Sequence, residues 1–139
     1  MGTVAIPVPL WAPEHGWFDA TTHTLETGTD DELVESYNAL TQAEADAKAL
    51  GRHVVAITAA RRWAEFVIGA RLGPGTRPGH KPIDPPPAFK PLGSAARYHC
   101  RRMARLDCDV LYDHLRRARS LDEVSRAACL AYVDASAAA

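Results

Sequence analysis

The chain has 139 residues, of which 47% are apolar and 24% charged; this is enough for one domain with a real core, and it excludes general disorder. The net charge is −1, and no apolar run approaches the ~18 residues that cross a bilayer, so no membrane anchor is expected. The N-terminus lacks the basic region of a secretory signal, Ile6 stands where a myristoylation motif wants Ser or Thr, and three cysteines (Cys100, Cys108, Cys129) do not make a disulfide framework, which together point to a cytoplasmic protein.

The small net charge hides an asymmetry along the chain. Residues 1–47 contain nine acids and no Lys or Arg, residues 48–119 contain fifteen cations against five acids, and the remainder has one Arg and three acids. Such polarity brings parts of one molecule together, or brings one part to a charged partner.

In chain order, residues 1–29 read as an extended arm. Val4, Ile6, Val8 and Leu10 alternate with small residues and with Pro7 and Pro9, and Trp11, Trp17 and Phe18 supply aromatics that can dock on a helical body. A helix is expected to open at Thr29 or Asp30, because Asp30, Asp31, Glu32 and Glu35 crowd its first turns, where free backbone N–H groups favour negative charge.

From there a three-and-four apolar rhythm runs through Leu40, Ala43, Ala47, Leu50, Val54, Ile57, Ala64 and Ile68, interrupted only at Arg61. It keeps phase across Gly51, with acids concentrated before that residue and arginines after it. The expectation is one helix over 30–72, with a helical hairpin broken at Gly51 as the alternative. As a rod it would be a coiled-coil seam for a homo-oligomer, two copies lying antiparallel so that each acidic half faces a basic half.

Residues 73–93 hold seven of the ten prolines and form a semi-rigid connector, with Pro82–Pro85 a loose match to a polyproline ligand. A further helix is expected over 94–118, capped by Ser94, with Ala96, Cys100, Met103, Leu106, Val110, Leu111 and Leu115 on its apolar face. Ser120 and Glu123 have the spacing of a capping box and predict a last helix running into the Ala-rich tail. The fold expected is therefore all-α. One long helix or hairpin packs with two shorter C-terminal helices (94–139) into a single structural domain, with the arm and the connector attached.

Four chemistries are open to these elements. Ala47 and Gly51 fit the small residue and turn glycine of a helix-turn-helix, but Asp46 and Arg52 stand where that motif buries apolar side chains. Arg97, Arg101 and Arg105 recur every fourth residue, with Arg102 beside them, Arg116, Arg117 and Arg119 following, and Arg61 and Arg62 on the long helix. Guanidiniums in such rows can follow phosphates, and the acidic N-terminal third can equally neutralise them.

Cys100 and Cys108 are ~12 Å apart along one helix and cannot share a tetrahedral ion; His15, Asp19 and His23 step by four in a segment read as non-helical. No metal and no cofactor is expected. His99 and Cys100 point apart on a helix, Asp113 is placed to pair with Arg117, and no phosphate-binding glycine loop is present, so no enzyme is expected.

The expected function is a non-enzymatic accessory protein. It would bind nucleic acid, or a protein of a nucleic-acid-processing machine, through its arginine-rich helices. The alternative is a protein-interaction module or inhibitor that presents its acidic third or its long helix; phage and mobile-element accessory proteins share this size and lack of motifs.

Overall fold

The computed structural model describes residues 15–51, 54–73 and 84–138. The alternating segment 4–10, Trp11 and the first half of the Pro82–Pro85 stretch lie outside them. Among the described residues the fold is all-helical, with six α-helices and one 3-10 turn: α1 (His15–Thr27), α2 (Asp30–Leu50), α3 (Val54–Leu72), the turn Pro87–Leu92, α4 (Gly93–Met103), α5 (Cys108–Arg117) and α6 (Arg126–Ala138). None of these helices is long and apolar enough to cross a membrane.

The second half of the expected arm is helical. Phe18, Thr21, Thr22 and Leu25 bury one face of α1 at helical spacing. Its threonines are tolerated because their hydroxyls turn back along the helix, Thr22 to Asp19 O, Thr24 to Ala20 O and Thr27 to His23 O. Gly28 ends α1, and Thr29 opens α2 with a complete capping box: Thr29 Oγ1 accepts from Glu32 N and Glu32 Oε1 accepts from Thr29 N.

The single rod over 30–72 is not formed. Gly51 closes α2 at φ 68° and ψ 29°, with its N–H on the carbonyls of Ala47 and Lys48, and α3 starts afresh at Val54. Contacts between the two helices then step outward on either side of Gly51. Thr58 and Arg61 meet Glu44, Arg61 reaches Tyr37, and Arg71 meets Asp30. That progression is an antiparallel hairpin.

The seam follows from the same fold-back. Leu40, Ala47, Ile57, Ala64 and Ile68 are buried inside the chain, Val54 is half-buried and Leu50 is 73% exposed at the corner. The complementary halves expected to meet between two copies meet within one. A glycine keeps the phase of a three-and-four pattern whether it continues a helix or caps it, so the rhythm could not distinguish the two. Gly51→Ala discriminates by sign: in the left-handed cap alanine costs about 1 kcal/mol, whereas within a continuous rod it would add about 1 kcal/mol. Urea unfolding is expected to show the loss.

α3 is the centre of the molecule and packs against α1, α2, α4 and α5. It is buried on nearly all sides, from Ile57 to Ala60, Arg62 to Glu65 and Val67 to Gly69. Gly69 is the point of closest approach. A Cβ built there would lie 1.9 Å from Cys100 O, so α3 and α4 are in backbone contact. This burial also removes the helix-turn-helix reading, since α3 would have to be the exposed recognition helix.

The connector ends in structure. Pro87–Leu92 winds into a 3-10 turn that plugs Phe89 into the core, fully buried against the α2 and α4 side. The helix expected over 94–118 is divided. α4 closes through Arg105 N on Arg102 O and Leu106 N on Met103 O, and Asp107 Oδ1 then accepts from Val110 N to open α5.

The expected apolar positions still point inward, with Cys100, Met103, Leu106, Leu111 and Leu115 buried. Ser120 and Glu123 do bond to each other, Ser120 Oγ accepting from Glu123 N and donating to Glu123 Oε1, which also accepts from Arg119 N. They close a turn, however, and α6 begins later, where Ser125 Oγ accepts from Ala128 N.

Candidate nucleic-acid interface

Four arginines of the described residues, Arg61, Arg71, Arg116 and Arg126, are held by acids distant in sequence. Arg61 Nη1 lies 2.9 Å from Glu44 Oε1, and Thr58 donates to the other oxygen at 2.5 Å. Burial alone would raise the Glu44 carboxyl, but the Thr58 hydrogen bond and the charges of Arg61, Lys48 and Arg62 outweigh it, and the group titrates below its ordinary range.

Arg116 makes a bidentate pair with Asp19, at 2.9 and 3.1 Å, fastening α5 to α1. Tyr112 donates to the same carboxylate at 2.6 Å, and Thr22 Oγ1 lies 3.1 Å from the tyrosine hydroxyl. Arg71 ties the end of α3 to Asp30 and to Glu26 O. The acidic N-terminal third thus neutralises three arginines inside the chain.

Glu65 is the fully buried acid of the structure, at 0% exposure. Arg62 Nη1 lies 3.1 Å from its Oε2, while Arg126 approaches as a fork, Nε on Oε1 at 3.0 Å and Nη2 on Oε2 at 2.5 Å. Arg62 Nε also donates to Val124 O at 2.9 Å. Sequence reading did not single out Glu65. Its only local signal is that it stands as the lone acid between residues 48 and 83.

The 3-10 turn and α4 carry cations without acids of their own. Residues 85–106 contain Lys90, Arg97, Arg101, Arg102 and Arg105 and no Asp or Glu. Two of these cations have structural work. Arg97 donates to the carbonyls of Phe89 and Lys90, holding the 3-10 turn on α4, and Arg101 Nε donates to Gly73 O beyond the end of α3.

Arg102 lies 5.7 Å over the Tyr98 ring, and Arg105 and Lys90 are exposed. Because α4 ends at Met103, Arg97, Arg101 and Arg105 are not one row on one helix. Tyr98 and Arg102 share one side of α4 at a spacing of four, and Arg105 follows in the turn beyond its end. Of the remaining expected contacts, Arg117 pairs with Asp113 at 2.9 Å on the surface and Arg119 is exposed in the loop before α6.

The nine expected arginines therefore divide. Arg61 and Arg62 are internal, Arg116 is clamped, Arg97 and Arg101 bind backbone, Arg102 is half-buried over Tyr98, and Arg105, Arg117 and Arg119 are exposed. Tyr98 was not expected; its signal is an aromatic one turn before an arginine in an acid-free stretch.

The three cysteines add no nucleophile to this face. Burial pushes the Cys100 thiol up to about 12 and the Cys129 thiol up to about 11, and the exposed Cys108 thiol is also raised, by partial burial and then by nearby Asp109, Glu26 and Asp107. These are protonated, weakly nucleophilic thiols. α1 does set His15, Asp19 and His23 at helical steps, but both Asp19 oxygens are engaged by Arg116, and no group of three His, Cys, Asp or Glu among the described residues is arranged around a metal position. Compared with protein-family models, with curated proteins and with solved structures, the chain finds no match.

Proposed function

We propose that this chain is a non-enzymatic helical accessory protein that binds nucleic acid, alone or within a processing complex, through the outer face of α4. One observation supports the reading above the rest: Lys90 and Arg105 are exposed and Arg102 is half-buried over Tyr98, in a stretch, 85–106, that itself contains no acid, in a fold that pairs several of its other arginines internally. Guanidiniums without local acids are available to phosphate and bring salt-dependent affinity.

The test is a binding titration across salt with the triple variant K90Q/R102Q/R105Q, which spares the backbone-bonded Arg97 and Arg101. The variant is expected to flatten the dependence of log K on log salt by up to ~0.9 for each lost phosphate contact, while its circular dichroism is unchanged. Unchanged binding by the triple variant would defeat the proposal.

A second reading has its own support on the opposite charge. Glu26, Asp31, Glu32, Glu35 and Asp46 are all exposed on α1 and α2. That face suits a basic protein partner. D31N/E35Q/D46N would abolish capture of such a partner and leave oligonucleotide binding intact.

A further inference from the structure

We infer that the α4 face takes single-stranded nucleic acid, with Tyr98 as the platform on which a base stacks. The inference rests on the reading of α4 as a nucleic-acid interface and adds the class of ligand. Tyr98 is 57% exposed, one of few large hydrophobic side chains left in solvent. Arg102 lies over its ring at 5.7 Å and the His99 ring meets it edge-on at 5.5 Å, which holds the phenol in place without enclosing it.

An aromatic ring fixed among cations, in a segment without carboxylates, combines the two elements that single-strand sites use: a π-face for a base and positive charges for the flanking phosphates. Arg102 and Arg105 lie to one side of the ring along the chain, and Lys90 lies in the turn before α4.

Duplex DNA is disfavoured by how deeply α4 is set. Its backbone at Cys100 is in contact with Gly69 of α3, and Cys100 and Met103 are buried beneath it. What reaches solvent is one strip of an 11-residue helix, about 16 Å long at ~1.5 Å per residue. A helix that reads a major groove must project into a cleft roughly 8.5 Å deep. An embedded strip can lie along a flexible strand but cannot enter that groove.

The experiment compares full-length protein binding to a fluorescein-labelled oligothymidine of about twelve nucleotides and to a duplex of equal length, by fluorescence anisotropy. The single strand is expected to bind at least fivefold more tightly. Tyr98→Ala should weaken oligothymidine binding about tenfold, as loss of one stacked base does, and leave duplex affinity and the salt slope unchanged; Tyr98→Phe should stay within twofold of the parent.

Equal affinity for the two ligands, or no effect of Tyr98→Ala on the single strand, overturns the stacking site while leaving a phosphate-binding face in place. Absence of binding to either oligonucleotide at about 50 mM salt overturns the interface itself. The exposed position of Tyr98 makes a folding defect improbable as a cause, and unchanged circular dichroism of each variant checks it.

Discussion

Glu65→Ala is expected to destabilise the protein by about 3–5 kcal/mol, the cost of removing one partner from a buried charge cluster. Two guanidiniums depend on this carboxylate. Arg62 is almost fully buried and Arg126 is two-thirds covered, with side-chain exposures of 11% and 31%. Without Glu65, neither would keep a carboxylate bonded directly to it.

Arg126 is also the first residue of α6, where a cation opposes the helix dipole. The Glu65 fork offsets that conflict and fixes the start of α6 on α3. Together with the Arg62 bond to Val124 O, it is the main polar link from the central helix to the C-terminal segment.

The loss should therefore be uneven. Urea unfolding should show a midpoint lowered by more than about 1 M, and amide exchange should rise first in α6. Replacing Glu65, Arg62 and Arg126 together with leucine should recover much of the stability, because the desolvation cost disappears with the charges. A single Glu65→Ala variant within about 1 kcal/mol of the parent would show that water reaches the cluster.

Gly69→Ala should be comparably severe, at least about 3 kcal/mol. Helix propensity pulls the other way, since alanine is favoured over glycine within a helix by about 1 kcal/mol. Contact decides the sign. The new Cβ would lie 1.9 Å from Cys100 O and 2.5 Å from Cys100 C, and neither backbone atom can rotate aside as a side-chain tip could.

Trimming Ala104, whose Cβ would be 2.8 Å away, should not rescue the variant for the same reason. Ala70→Gly is the matched control: that neighbour is exposed, and only the propensity loss of about 1 kcal/mol should appear. Thermal or urea unfolding of the pair checks both signs. A neutral or stabilised Gly69→Ala protein would mean that α3 and α4 stand further apart.

Local chemistry in the chain was enough to establish helices and several of their ends. The Thr29 and Glu32 capping box, the acidic first turn of α2 and the inward positions from Cys100 to Leu115 depend on neighbours within a turn or two, so short-range pattern specifies them. The acidic third and the basic middle of the chain were equally visible, because charge needs no fold to be counted.

Direction was not legible. The rhythm from Leu40 to Ile68 is the same whether its apolar stripe faces a second copy or its own continuation after a turn, and Gly51 permits both backbones; burial of both halves in one core selected the hairpin. The helix over His15–Thr27 was hidden by its threonines, whose bonds to the preceding turn are invisible in composition.

The roles of individual arginines were likewise set by contacts far apart in sequence: Arg61 by Glu44, Arg116 by Asp19, Arg126 by Glu65. Sequence shows how many charges a chain has. Long-range packing decides which of them are cancelled inside it and which, like Arg105, stay exposed, because pairing falls off over a few ångströms and those distances exist only once the helices have docked.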